Sequence, residues 1–410
     1  MSSTALSNRR VGPSVPADAA EPRPIAKDSP TTGPGGLDVG LLAITLMLVA
    51  FGIVMVYSAS AIFAARSHGS AQYYLLKQAS FAVVGLTGMT VASRLNYQVF
   101  RKLTYPMLGL TVALLIAVIA GFGRAGGGAA RWLRLGPVTL QPAELAKVVI
   151  ILWLAHSLSK KQEKIRTFSV GFLPHLLVTG FLMILCLKQP DFGSSMVLLL
   201  LTFALMFVAG AKTGYILGAI VAALPVAYHL VMGTAYRRRR WEAFMDPWAH
   251  RRDISYQLVE SLMSFGAGGS TGLGLGDSRQ KLFFLPEAHT DFIGAIIGEE
   301  LGFAGMIALL CAYAFLVFRG LKIALTARDD YGTYVAFGIT TLFSLQIIIN
   351  LGVATGLLPT KGLTLPLISY GGSSLVINLC AIGILLSISR SCSNGPSSLR
   401  AKPSMEEAKS

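Results

Sequence analysis

The sequence predicts an all-α polytopic membrane protein with ten transmembrane helices. Hydrophobic residues make up 53% of the 410 residues and charged residues only 13%, whereas soluble domains carry about 25% charged residues. Apolar runs of about twenty residues, the length that crosses a bilayer, recur along the chain. Lys and Arg are concentrated in the short connections between these runs, as in multi-pass membrane proteins.

The ten predicted spans are separated by short connections, with one exception. They cover residues 39–60, 75–93, 103–122, 143–158, 168–187, 192–210, 212–231, 291–318, 333–355 and 367–390. The fourth is short for a spanning helix. A large loop, residues 232–290, separates the seventh span from the eighth.

The segments outside the spans are predicted to be tails. Residues 1–38 hold six of the eighteen prolines and too few apolar residues to form a core, so we expect a disordered tail. Residues 391–410 form a second tail, which leaves 39–390 as the ten-helix domain.

The charge distribution predicts the topology. If the N-terminus is cytoplasmic, the cytoplasmic segments carry 19 Lys and Arg and the short outer loops carry 6. Positive charge in short loops marks the cytoplasmic side, so both termini are expected inside and the 232–290 loop outside, in the periplasm. The net charge of +15 is therefore attributed to topology and contact with membrane lipids, not to a nucleic-acid partner.

Polar motifs are concentrated at the predicted outer ends of the helices. They are QPAELAK (141–147), KQPDFGS (188–194), the 232–290 loop, HTDF (289–292) and PTKG (359–362). A single helix over 291–318 would be about 42 Å long, whereas the hydrocarbon core is only about 30 Å thick. Asp291 should therefore stand above the hydrocarbon. Its helical face also carries Gly294, Gly298, Gly302 and Gly305, a surface suited to close helix packing.

Two interpretations of Asp291 remain open. Together with Thr290 it could cap the helix, because a carboxylate is favourable at a helix start. Alternatively, Asp291 could accept a proton from an attacking hydroxyl, with His289 nearby.

The other ionisable motifs also have structural alternatives. Glu144 and Lys147, three residues apart, could form a buried ion pair or present the lysine to a phosphate. Lys188 and Asp191 flank Pro190, and turn formation explains Asp191 better than catalysis does.

The loops supply the cationic candidates. YRRRRWEAFMDPW (236–248) suits either a membrane surface or a pyrophosphate, and Arg131 and Arg134 are similarly interfacial. PTKGLTLPLISYGGSS (359–374) predicts non-helical backbone beside a cavity. GAGGSTGLGLG (266–276) lacks a P-loop ending and is read as a flexible loop. The four cysteines lack metal-ligand spacing, and neither a metal site nor a disulfide framework is predicted.

Seven motifs occur in an order that resembles the SEDS family, the shape, elongation, division and sporulation proteins. They are QPAELAK, KQPDFGSS, FMDPW, YQLVESL, GLGLGDSRQK, LPEAHTDFIGAIIGEELG and GLLPTKGLTLPLISYGGSS, and the resemblance covers roughly residues 40–390. The PEAHTDF and PTKGLTLPLISYGGSS versions are more similar to the division branch than to the elongation branch. Gly294 and the SFGAGG stretch depart from the family pattern.

The resemblance implies a peptidoglycan glycosyltransferase that polymerises lipid II at the septum and releases undecaprenyl pyrophosphate. Asp291 matches the family's essential carboxylate and would deprotonate the acceptor 4-hydroxyl. Together with the motif reasoning above, this gives the substrate-binding candidates Glu144, Lys147, Arg131, Arg134, Lys188, Asp191, Arg240, His289, Lys361 and Ser369. A class B penicillin-binding protein transpeptidase and other division membrane proteins are the implied partners. We expect no permanently bound cofactor, although Mg²⁺ or Mn²⁺ could accompany the pyrophosphate.

Two other functions compete with this enzyme. A lipid II flippase would also need a polar outer cavity, but it usually shows internal repeats and polar groups near the midplane, which this sequence lacks. A scaffold that only recruits division proteins would leave the outer-face charges unexplained.

Overall fold

The fold is taken from a computed structural model, which describes residues 36–392 except 127–128, 137, 234, 252, 254, 281–287 and 361. The two predicted tails therefore lie almost wholly outside the described residues. The helices are α1 Val39–His68, α2 Tyr73–Arg94, α3 Gln98–Ala117, α4 Pro142–Lys160, α5 Leu173–Lys188, α6 Phe192–Val208, α7 Thr213–Met232, α8 Ala235–Met245, α9 Tyr256–Gly268, α10 Ile293–Thr326, α11 Asp330–Ala354 and α12 Gly372–Ser391.

Most of the predicted spans coincide with these helices. Within the described residues, eight helical segments are long and apolar enough to cross a membrane: α1, α2, α3 with its continuation to Phe122, α4, α5 with the preceding turn from Phe168, α10, α11 and α12. Helix α6 and the apolar first part of α7, Thr213–Pro225, correspond to the sixth and seventh predicted spans. The large loop between α7 and α10 contains the two remaining helices, α8 and α9.

The prediction of an all-α chain is wrong between α3 and α4. Three short antiparallel strands, β1 Gly123–Gly126, β2 Ala129–Leu135 and β3 Val138–Leu140, form a small sheet in the order β1-β2-β3. Leu135 pairs with Val138 across a tight turn, where Gly136 has a φ of 64°. Glycine adopts this left-handed conformation readily. The strands have only 4, 7 and 3 residues, too few for an alternating apolar pattern to stand out in the sequence.

Small residues allow α12 to pack closely along α2. A Cβ atom on Gly383 would lie 2.5 Å from the carbonyl oxygen of Met89, and one on Gly88 would lie 2.7 Å from the Cys380 sulfur. Larger side chains would force the two helices apart. Helix packing through small residues is characteristic of membrane proteins.

Carboxylates join several helices at the end opposite Asp291. Asp38 accepts a hydrogen bond from Leu41 N at 2.8 Å, so it caps α1, and it forms an ion pair with Arg319 of α10 at 2.7 Å. Asp329, before α11, accepts from Tyr97 Oη at 2.8 Å. Asp38, the last residue of the predicted tail, thus makes contacts with the helical part of the chain.

The predicted single helix over 291–318 is wrong in two respects. Helix α10 begins at Ile293, ends at Thr326 and breaks at Gly302, whose φ of 65° and ψ of −164° are non-helical. This backbone region is accessible essentially only to glycine. The break separates the first turns of α10, next to Asp291, from the long apolar remainder.

The glycine-rich loop after α9 pairs with the backbone groups that the break in α10 leaves without helical partners. Leu273 N and Gly274 N donate to the carbonyl oxygens of Glu299 and Glu300, both at 3.0 Å. Phe303 N and Ala304 N donate to Gly269 O at 2.9 Å and Ser270 O at 3.1 Å. The reading of 266–276 as a flexible loop is therefore wrong. Its glycines let it enter the break, because a side chain on Gly272 would meet the backbone of Glu300.

The predicted glycine face of α10 packs inward as expected. A side chain on Gly294 would meet Leu351 of α11, and one on Gly298 would meet Phe265 of α9. Gly305 differs, because its nearest neighbour is Leu301 of the same helix. The start of α10 is thus enclosed by α9 and α11, and this arrangement sets the position of Asp291.

Candidate functional site

Asp291 lies just outside α10. The capping position belongs to Phe292, whose side chain makes no capping hydrogen bond. Both interpretations of Asp291, a contribution to the helix start and proton acceptance, therefore stay predictions, and the two can coexist. Asp291 is partly exposed and remains close enough to the helix start for the positive end of the dipole to favour its ionised form.

The carboxylate of Asp291 lies against the loop that follows α11. A Cβ atom on Gly362 would be only 2.6 Å from Asp291 Oδ2. The Asn350 amide also donates to the Asp291 carbonyl oxygen at 2.9 Å. The predicted non-helical segment after residue 359 is confirmed, because the next regular helix, α12, begins only at Gly372. Lys361, predicted to bind substrate, lies outside the described residues.

His289 belongs to an aromatic cluster two residues before Asp291. Its ring centroid is 4.6 Å from that of Tyr74 and 5.6 Å from that of Tyr370. Tyr370 N donates to the His289 carbonyl oxygen at 2.9 Å. Burial raises the pKa of Tyr370 to about 12, so its phenol is neutral at physiological pH and does not act as the base.

Glu144 and Lys147 form the predicted ion pair, with Lys147 Nζ 2.7 Å from Glu144 Oε1. Both side chains are buried, and that of Lys147 is 0% exposed. Ser374 Oγ donates to Glu144 Oε2 at 3.2 Å and lies 3.0 Å from Thr364 Oγ1. The pair is thus connected through two hydroxyls to the loop that contacts Asp291.

Ser369 stabilises the same loop from within. Its hydroxyl accepts a hydrogen bond from Leu365 N at 2.8 Å, and its carbonyl oxygen accepts from Gln78 Nε2 at 3.3 Å. The residue is 4% exposed. Its hydroxyl therefore holds a turn instead of facing a substrate directly.

Four other predicted residues do not join this site through the contacts seen here. Arg131 donates to the carbonyl oxygens of Gln189 at 3.1 Å and Pro190 at 2.7 Å, so it holds the turn before α6. Asp191 caps α6 by accepting from Ser194 N at 3.1 Å, which agrees with the structural interpretation. Lys188 is exposed. Arg134 is exposed and donates locally to Gly136 O.

Among the α8 arginines whose side chains are described, Arg240 contacts the loop that follows α11. Its Nη1 lies 3.4 Å from the carbonyl oxygen of Thr360, two residues before Gly362. Arg238 pairs with Glu242 on the exposed side of α8 at 3.5 Å, and Arg239 is exposed. Of these three arginines, Arg240 is the one placed to add positive charge near Asp291.

Glu299 and Glu300, two further carboxylates near the start of α10, are buried and bonded to neighbouring segments. Ser58 Oγ donates to Glu300 Oε1 at 2.6 Å, which joins α10 to α1. Arg279 N donates to Glu299 Oε1 at 2.9 Å, which fixes the end of the glycine-rich segment. Both residues are 1% exposed. Their contacts suit packing at the break better than proton transfer.

Sequence reasoning missed Asn350, Thr364 and Ser374. Asn350 lies in the apolar run QIIINLG (346–352) of α11 and is 1% exposed. Polar residues inside membrane helices are rare and usually functional, so this was a usable signal. Thr364 lies in the non-helical segment and Ser374 in the first turn of α12; the sequence indicated the partners of neither.

An open cavity of 1010 Å³ lies beside α9 and is lined by Trp248, Arg251, Tyr256, Glu260 and Arg279, among others. Arg251 and the buried Glu260 form an ion pair at 3.8 Å. Asp291 is not among the lining residues.

Across the described residues, His, Cys, Asp and Glu form no group of three that could hold a metal ion.

Comparison with known proteins gives consistent matches. The family model for FtsW/RodA/SpoVE, described as cell cycle protein, matches residues 39–394. The probable peptidoglycan glycosyltransferase FtsW of Geobacter metallireducens is 46% identical over 353 residues, covering 86% of this chain and 94% of that protein. Stage V sporulation protein E of Bacillus subtilis is 40% identical over 363 residues, covering 88% and 99%.

Solved structures share the fold. One, described as "Structural coordination of polymerization and crosslinking by a peptidoglycan synthase complex", matches with a TM-score of 0.74 and 30% identity, covering 87% of this chain and 98% of that chain. Thermus thermophilus RodA, a rod shape determining protein, matches with a TM-score of 0.65 and 30% identity, covering 87% and 97%.

Proposed function

Because this chain belongs to the FtsW/RodA/SpoVE family of cell cycle proteins, we propose that it is a peptidoglycan glycosyltransferase that polymerises lipid II at the division septum. The curated relatives named as probable glycosyltransferases support the reaction. The observation that carries the proposal in this chain is the placement of Asp291, a partly exposed carboxylate that lies outside its helix and against a glycine.

In the proposed reaction, Asp291 is the general base. Its carboxylate takes the proton from the 4-hydroxyl of the acceptor lipid II as the oxygen attacks the anomeric carbon of the growing chain. The new glycosidic bond forms as the bond between that carbon and the pyrophosphate breaks, with inversion. Undecaprenyl pyrophosphate leaves with the bonding electron pair. Gly362 suits this role because the absence of a side chain keeps space open beside the carboxylate.

The leaving group needs positive charge near its phosphates. Arg240, beside the loop that contacts Asp291, is the best placed of the described α8 arginines. Lys147 could contribute through its buried pair with Glu144, but direct contact with substrate would require that pair to rearrange. Mg²⁺ or Mn²⁺ accompanying the pyrophosphate would add to this positive charge.

We also propose the ten-span topology, with both termini cytoplasmic and Asp291 at the periplasmic face. Helices α10 and α11 run in opposite directions: α10 begins next to Asp291, whereas α11 begins after Asp329 and reaches Asp291 through Asn350 near its end. The charge count favours the same orientation. Cysteine-accessibility labelling in a background without the four native cysteines tests it. The exposed position 249, in the same loop as the buried Glu260, should react with an impermeant reagent from the periplasmic side. Labelling only from the cytoplasmic side would contradict the topology.

A transpeptidase partner completes the proposal. One similar structure comes from a complex described as coordinating polymerization and crosslinking. We propose that this chain likewise pairs with a class B penicillin-binding protein, through the 232–290 loop and the neighbouring outer ends of α10 and α11. Co-purification from native membranes should recover the pair. Its absence from both native membranes and detergent extracts would count against the partnership.

Labelled lipid II tests the activity. Purified protein in vesicles, alone and with the transpeptidase, should convert lipid II into glycan polymer that lysozyme digests. Movement of lipid II from one leaflet of the vesicle membrane to the other, without formation of glycan polymer, would favour the flippase. Neither polymer nor movement under both conditions would favour a scaffold.

A further inference from the structure

We propose that Asn350 is a positioning residue that fixes the Asp291 carboxylate against the loop after α11. The inference rests on the proposed role of Asp291 as general base. One amide group carries it, because Asn350 Nδ2 donates to the carbonyl oxygen of Asp291 at 2.9 Å and to that of Leu363 at 2.6 Å.

The orientation of this amide follows from its partners. Both acceptors are carbonyl oxygens, which cannot donate, so the NH₂ group must face them. The Asn350 Oδ1 atom is then buried, and it has no hydrogen-bond partner among the described residues. A buried polar atom without a partner destabilises a fold. The asparagine thus makes two useful donations while leaving its acceptor unsatisfied, as expected of a residue retained for positioning.

The amide connects segments that are distant in sequence. Asp291 precedes α10, Leu363 follows α11, and Asn350 lies in the last turns of α11. The first turn of α10 lies against the same part of α11, because a Cβ on Gly294 would be 3.1 Å from Leu351 Cδ2. Asn350 therefore sets the spacing between the Asp291 backbone and the loop at a point where the packing is already close.

This spacing affects two parts of the loop. Gly362 lies against Asp291 Oδ2. Leu363 is followed by Thr364, whose hydroxyl reaches the Ser374–Glu144 network. Without the amide bridge, Asp291 and this network would no longer be held at a fixed separation. A misplacement of about 1 Å can reduce the rate about 10²-fold.

The main test replaces Asn350 with leucine, which has a similar volume and no donor. At saturating lipid II, the kcat of Asn350→Leu should fall about 10²-fold. Its KM should stay within about twofold, as expected when ground-state binding is retained. Gln346→Leu is the matched control: Gln346 lies one turn earlier on α11 and is also 1% exposed, and its variant should keep the wild-type kcat.

Gly362→Ala approaches the same geometry from the other side. Its new methyl group would lie 2.6 Å from Asp291 Oδ2, so the carboxylate must move. Because residue 362 is exposed, the substitution does not change the packing of the core. The same loss of kcat with normal thermal stability is expected. This variant decides the importance of carboxylate position even if Asn350→Leu does not fold.

Amide hydrogen exchange tests the positioning role of Asn350 separately from the proposed function. In Asn350→Leu, exchange should accelerate in peptides covering 288–293 and 362–368 and stay unchanged around Asp329; Gln346→Leu should match wild type. Wild-type exchange in both peptides, or full kcat in Asn350→Leu and Gly362→Ala, would overturn the inference. If the wild-type protein forms no polymer, the proposed function fails, while the exchange result still decides whether Asn350 holds the two segments together.

Discussion

Asp329 and Asp291 precede long helices at opposite ends of the fold and are both partly exposed, yet their surroundings differ. Asp329 is a helix cap, because its carboxylate accepts from Gly332 N at 3.0 Å. It also accepts from Tyr97 Oη and Gln98 Nε2, both at 2.8 Å. Asp291 lies one residue outside the capping position, with its backbone held by Asn350 and its carboxylate against Gly362.

The difference separates two uses of the same residue type. At Asp329 the carboxylate itself makes the structural contacts, so the helix start and the α2–α3 connection depend on it. At Asp291 the backbone carbonyl accepts from Asn350, and the carboxylate lies against the backbone of Gly362, where a substrate hydroxyl is proposed to bind. Removal of the negative charge should therefore affect different properties at the two ends: the polymerisation rate at Asp291 and the stability at Asp329.

The largest expected effect is that of Asp291→Asn. Asparagine has nearly the same size but cannot accept the proton, so polymerisation of lipid II should fall about 10²–10⁴-fold, as for the loss of a general base. Thermal stability and expression should stay near wild-type levels, because asparagine keeps the size of the side chain and the backbone contact to Asn350. Gel analysis of labelled lipid II products measures the rate. Near wild-type polymerisation would remove Asp291 from the mechanism.

The second prediction concerns the buried pair. Glu144→Gln leaves the Lys147 ammonium buried without its carboxylate, which should cost about 3–5 kcal/mol of stability. Thermal unfolding in detergent should show the loss. The double variant Glu144→Leu/Lys147→Met removes both charges and should recover most of the stability.

Activity of that double variant separates structure from substrate binding. If the pair only fixes helix packing, polymerisation should return together with stability. A stable double variant without activity would instead show that Lys147 or Glu144 contributes to the reaction. Normal stability of Glu144→Gln would contradict the structural interpretation of the pair.

How far the sequence predicts these regions depends on whether the signal is local. The spans follow from apolar length, which each segment carries by itself, and the carboxylate at the start of α10 is conspicuous for the same reason. The Asn350 bridge joins residues 59 positions apart, and no local periodicity indicates such a contact. The break at Gly302 was hidden similarly: its glycine fits a small-residue packing face, while the hydrogen bonds that compensate for the break come from residues 269–274.

The third prediction tests that break, which separates the Asp291 end of α10 from the end that pairs with Asp38. Alanine at Gly302 would have to adopt a backbone conformation nearly exclusive to glycine, at a cost of about 1–3 kcal/mol. Its Cβ would also meet the backbone of Gly272. Gly69→Ala is the control: Gly69 also has positive φ, of 71°, but nothing lies within 4 Å of its Cβ position. Equal melting temperatures for the two variants would argue that the loop does not enclose the break.

The smallest expected effect is that of Asp329→Asn, the counterpart of the first substitution. Asparagine can still accept from Gly332 N and so retain the cap, but its NH₂ group faces a donor at Gln98, so at least one charge-assisted hydrogen bond is lost. Such a loss should cost about 1–3 kcal/mol, nearer the lower value because the site is partly exposed. Thermal unfolding should shift down modestly, while polymerisation per folded molecule stays at the wild-type level. Reduced polymerisation at unchanged stability would place a functional carboxylate at both ends and remove the distinction between Asp329 and Asp291.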